Sequence, residues 1–199
     1  MRVLVRTVPV VLLGTALAAC GSAAPGSTVS ATSARPLDVL REPSGATAWK
    51  ANGAAPLGLG PFVRDFYTKS AWRSEETLYA QRKFVSGTVQ GWINPDGSQQ
   101  SISIACFSDA RGARQTYADL VAALTQNLTP TEAKVTDPVD GATGAADTQP
   151  DSLGNTKVDL AAQVGDYLID VHEYTPGKPD ADAAAALLRQ QVAVVRKIR

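Results

Sequence analysis

The chain has 199 residues, with 19 basic and 19 acidic side chains, two cysteines and one histidine. That length suits one compact domain plus a tail, and a balanced charge excludes the clustered cationic face that nucleic acid requires. One imidazole and two thiols cannot build a zinc tetrad without carboxylates from distant loops.

Arg2 and Arg6 give a positive start with no acid before Cys20, and Val8 to Leu17 follows as a short apolar run interrupted by Pro9 and Gly14. A membrane-spanning helix needs roughly 20 apolar residues, so this run is too short to cross and reads as a secretion signal. It ends in Leu17-Ala18-Ala19-Cys20 with Gly21 behind it. These residues resemble the lipobox of bacterial lipoproteins, and the alanine-rich composition resembles actinobacterial cell-surface lipoproteins. The resemblance implies removal of residues 1–19 and a diacylglyceryl group (palmitate-type acyl chains) on the Cys20 sulfur. It also implies an extracytoplasmic protein held at the outer face of the cell membrane. Two acyl chains suffice for stable anchoring, because each buried CH₂ contributes about 0.8 kcal/mol. The alternative is an ordinary secretory signal cut after Ala16-Leu17-Ala18. With Cys20 committed to lipid, Cys106 has no partner for an intramolecular disulfide.

Residues 20–60 are rich in Gly, Ala, Ser, Thr and Pro, show no helical or strand period, and read as a flexible tether. A tether of that length reaches roughly 35 Å. Trp49, Leu57 and Leu59 are candidates to dock onto the domain, which is expected to span 61–199.

The stretch from Phe62 to Lys83 interleaves Phe62, Phe66, Tyr67, Trp72 and Tyr79 with Arg64, Lys69, Arg73, Arg82 and Lys83. Ser74 before Glu75 and Glu76 looks like a helix start. Two readings stand side by side. The rings pack onto a sheet while the charges stay wet, or Trp72, Arg73, Tyr79 and Arg82 form a surface for a cell-wall polymer or an envelope protein.

Phe84 to Phe107 predicts a hairpin turning at Asn94-Pro95-Asp96-Gly97, with Ile102, Ile104 and Cys106 on the core face. Cys106 is then a small buried hydrophobe. Asp109 caps a helix from Gly112 to about Asn127, with an apolar stripe of Tyr117, Leu120, Val121, Leu124 and Leu128. Residues 129–155 read as a solvated loop with at most a short edge strand around Val135 and Val139. Asp137, Asp140, Asp147 and Asp151 lack the spacing of a calcium loop. Thr156 to Glu173 predicts a second hairpin turning at Gly165-Asp166. A final helix follows, capped by Asp180 or Asp182, with Leu187, Leu188, Val192, Val195 and Ile198 buried.

Hairpin–helix at 84–127 is followed by hairpin–helix at 156–198, which suggests an internal repeat. The expected fold class is α+β, a twisted antiparallel sheet with both helices on one face. No catalytic constellation is legible. His172 lies beside Asp170 on the outward side of its strand and reads as exposed and idle. Gly58-Leu59-Gly60-Pro61 is not a phosphate loop, because Pro61 removes an amide donor. No metal or cofactor is implied. The expected function is a non-catalytic, monomeric binding or accessory module at the cell envelope. A hydrolase of envelope polymers using Asp96, Asp109, Asp170 or Glu173 is the alternative, and an extracytoplasmic sensor or inhibitor working through its sheet edge is the next.

Overall fold

Seven antiparallel strands form one sheet in the order β1-β2-β3-β7-β6-β5-β4. The computed structural model describes residues 45–51, 56–137 and 141–198. The strands are β1 (Thr47–Ala51), β2 (Phe84–Ile93), β3 (Gln99–Phe107), β4 (Glu132–Asp137), β5 (Ala142–Asp147), β6 (Asn155–Val164) and β7 (Tyr167–Pro176). The helices are α1 (Leu59–Phe66), α2 (Trp72–Gln81), α3 (Ala110–Thr125) and α4 (Ala181–Ile198). The fold class is α+β, as the alternating and helical patterns require.

Strand alternation sends side chains to two faces, and each carries a core. On the first, Ile102, Ile104, Val158, Leu160, Ile169 and Val171 pack under Leu188, Val192 and Val195 of α4. On the second, Ala105, Phe107, Ala161 and Leu168 pack under Phe62 and Val63 of α1, Tyr79 of α2 and Ala113 of α3. The two long helices therefore lie on opposite faces, not together as expected. β3 and β7 run antiparallel, so only a two-fold axis perpendicular to the sheet could relate the two hairpins. Such an axis would keep both helices on one face. The hairpin–helix units share caps, Asp109 accepting from Arg111 and Gly112 amides and Asp180 from the Ala183 amide, but they are not a structural repeat.

Residues 129–155 supply the short edge strand expected around Val135, as β4, and a second strand, β5, where only loop was expected. β5 reads Ala-Thr-Gly-Ala-Ala-Asp and has little β-propensity. Its glycine is a packing requirement: a Cβ on Gly144 would lie 1.7 Å from the Asp159 carbonyl oxygen. Asp137 is buried and paired with Arg189, Nε to Oδ2 2.7 Å, and is not a solvated loop acid. Asp140 lies outside the described residues.

The tether contributes to the fold. β1, which contains Trp49, pairs with β2, Leu57 bridges Gly87, and Leu57 and Leu59 pack against the second core. The folded body thus begins before residue 61.

Candidate functional site

The second face divides into a covered and an uncovered part. Phe62 and Phe66 of α1 stack one turn apart, 5.9 Å between ring centroids, and Phe66 ends against the His172 ring at the same distance. Beyond it no helix of the described residues covers the sheet. The cross-strand row Ile93–Gln99–Tyr174–Lys157 crosses β2, β3, β7 and β6 there, spanning roughly 14 Å at about 4.8 Å per strand. Ile93 is 40% and Tyr174 45% exposed. The next row, Gly91–Ser101–His172–Asp159, forms the floor between this shelf and the core.

His172 holds that floor together. Its Nδ1 lies 2.5 Å from Asp159 Oδ1 and its Nε2 lies 2.8 Å from Asp170 Oδ2. Both aspartates are buried, while the imidazole keeps 28% exposure. Lys157 Nζ reaches the second oxygen of Asp159 at 2.6 Å. Asp170 has no hydrogen-bond donor in good geometry, so its charge is balanced by the neighbouring imidazolium. Burial pulls the His172 pKa down, but the Asp170 and Asp159 carboxylates outweigh it and hold the group well above an ordinary imidazole. Burial likewise pushes Asp159 up, and His172 and Lys157 together bring it below the usual carboxylate range. His172 is thus a partly buried counter-cation to two buried aspartates and not an idle surface residue. The hairpin pattern did place it beside Asp170. Asp159, across the β6–β7 ladder, was missed, because only strand register brings residues 159 and 172 together.

The arrangement decides what His172 can do. Both ring nitrogens face carboxylates, so an imidazolium here has no lone pair to accept a proton from a nucleophile. Ser101 stands opposite His172 and Ser103 opposite Asp170 in the β3–β7 ladder, but neither has a base.

The four residues expected to form one surface are not brought together as one. Tyr79 is inside the core, its hydroxyl 3.1 Å from that of Tyr67. Trp72 is half-buried, donating from Nε1 to the Tyr67 carbonyl at 2.9 Å, with the Arg64 guanidinium 5.8 Å from its ring. Arg82 is mostly buried and paired with Asp119 across α2 and α3. Of the four, Arg73 alone is exposed. The helix also starts earlier than Ser74: Ala71 is the N-cap, and no side chain caps it.

The hydrolase carboxylates are likewise dispersed. Asp109 caps α3, Asp96 organises the β2–β3 turn through Ser98, and Asp170 is buried under the second face. Glu173 is buried on the first face, where Gln100 donates to it at 2.5 Å and accepts from Trp92 Nε1 at 2.9 Å. Burial pushes the Glu173 carboxyl up to about 7, against the opposing Gln100 hydrogen bond. No group of three or more His, Cys, Asp or Glu among the described residues could hold a metal ion.

No known protein family and no curated protein matches the chain. Among solved structures it is similar to the extracellular domain of PknH from Mycobacterium tuberculosis. The two share 18% identity over 61% of this chain and 70% of that one, with a TM-score of 0.48.

Proposed function

We propose that this chain is a lipid-anchored, extracytoplasmic binding module that acts without chemistry of its own. It is held at the outer face of the cell membrane through Cys20 and contacts an envelope component with the uncovered end of its second sheet face. The supporting observation is the row Ile93–Gln99–Tyr174–Lys157, which keeps two large apolar side chains in water above a rigid charged floor. Exposed apolar groups rimmed by polar ones mark contact surfaces. The lipobox residues support the anchor. No helix of the described residues is long and apolar enough to cross a membrane.

The two parts have separate tests. The mature native protein should begin at Cys20 and carry the mass of a diacylglyceryl thioether. Cys106 is buried and is not a free thiol in the structure, contrary to expectation. The chain has only one other cysteine, so a mature mass showing a Cys20–Cys106 disulfide and no lipid would overturn the anchor. For the contact surface, an unlipidated mature chain (Cys20→Ala) should co-sediment with washed cell envelopes. The same chain with Ile93→Ser and Tyr174→Ser should not. Equal retention of the two sinks the assignment of this face.

A further inference from the structure

Among the described residues four acids are buried, and three of them face a cation. Asp137 meets Arg189, Asp159 meets Lys157 and His172, and Asp170 meets His172. Glu173, 2% exposed, meets only neutral donors. The Gln100 amide donates to one carboxyl oxygen at 2.5 Å, and the Thr175 hydroxyl lies 3.5 Å from the other. The elements packed around it bring no compensating charge. β2 contributes Trp92, whose Nε1 holds Gln100 in turn, and β6 sets Val158 opposite. The charges that act on it are both acidic, Asp180 at the start of α4 and Asp96 in the β2–β3 turn. Burial, opposed by the Gln100 hydrogen bond and reinforced by Asp180 and Asp96, raises its pKa to about 7.

The place of this acid in the sheet gives its proton a consequence. Trp92, Gln100 and Glu173 form one cross-strand row of β2, β3 and β7 on the first face. Each is the chain neighbour of a member of the Ile93–Gln99–Tyr174 row, which stands in water on the second face. The two rows therefore share one length of backbone. A carboxylate without a cation in this position has to gain water, and water reaches it only if the ends of these strands part. An ordered row binds better than a loosened one, because it carries less ordering cost into the contact.

We propose that Glu173 is a proton-operated lock beneath the contact face: its neutral carboxyl holds the ends of β2, β3 and β7 together, and its ionisation releases them. This rests on the reading of the uncovered face as the contact surface, and it names how that face is regulated. The test follows amide hydrogen exchange of the mature Cys20→Ala chain, corrected for intrinsic rates, from about pH 5 to about pH 8. Protection at Gln99, Gln100 and Tyr174 should fall roughly tenfold or more across that range. Ile104 and Ile169, in the middle of the same strands, should keep theirs. Glu173→Gln, which stays neutral throughout, should abolish the local fall. Envelope retention should weaken over the same interval in the wild-type sequence and stay level in Glu173→Gln. Exchange that is flat with pH, that changes alike at all five amides, or that is unaltered by Glu173→Gln would overturn the lock. Retention that depends on Ile93 and Tyr174 would survive that result, and a local opening seen by exchange would survive the failure of the contact face.

Discussion

His172 and Asp159 stand opposite each other in the β6–β7 ladder, with Nδ1 2.5 Å from Oδ1, and Asp170 closes on the other ring nitrogen. Among the described residues the imidazolium is the one partner of Asp170, so its loss leaves a bare buried charge. His172→Ala should cost about 3 kcal/mol in urea unfolding, the scale for breaking a buried ion pair from one side. Adding Asp170→Asn should recover part of that loss. An additive double mutant would show that the two do not share a charge.

The same cluster gives stability a pH slope at its alkaline end. His172 has a raised pKa in the folded state, so its contribution is complete below the ordinary imidazole value and disappears as pH rises through the folded pKa. The wild-type midpoint should fall on the alkaline side, and His172→Gln should remove that fall. Asp159 has a lowered pKa, so its contribution is lost as pH drops through the folded value.

Glu173 behaves oppositely to a stabilising carboxylate. Its pKa rises from 4.5 to about 7 on folding, so the folded state binds the proton more tightly and stability declines as pH increases across that interval. Glu173→Gln keeps a partner for Gln100 and should flatten the urea midpoint between pH 4.5 and 7. A slope unchanged in the variant would assign it to another group.

Tyr79 and Arg73 separate the two readings of the aromatic-basic stretch. Tyr79→Ala opens a cavity beneath Phe62, Phe84 and Phe107 and should cost about 3–5 kcal/mol by analogy with other buried aromatics. Arg73→Ala should change stability by less than about 0.5 kcal/mol and leave envelope retention unaltered. Lost retention in a folded Arg73 variant would restore this stretch as a contact surface.

Gly144 tests why β5 looks so unlike a strand. Gly144→Ala forces a methyl against the Asp159 carbonyl, where backbone cannot yield cheaply. It should lower stability by more than about 2 kcal/mol, as an overpacked core does. Gly141→Ala, with φ +65° but open space around its Cβ position, should cost less, and urea denaturation of the pair gives the comparison.

Local pattern alone determined the lipobox resemblance, both long hairpins, the Asp109 cap, a choice of Asp180 or Asp182 as the cap of α4, and the burial of Leu188, Val192 and Val195. Each of these is written within a few residues, in alternation, turn chemistry or helical spacing. Three features were decided only by residues far apart in sequence. β5 is a strand because β4 and β6 pair with it on either side, and at Gly144 the β6 backbone leaves no room for a side chain. α3 crosses to the face opposite α4, with Gly112, Ala113 and Thr116 buried against the sheet and Tyr117 and Leu120 only partly covered beside them. The site shifted for the same reason. Tyr79 was drawn into the core by the rings that enclose it, while His172, Asp159 and Asp170 became one charge cluster because the register of antiparallel strands sets them side by side.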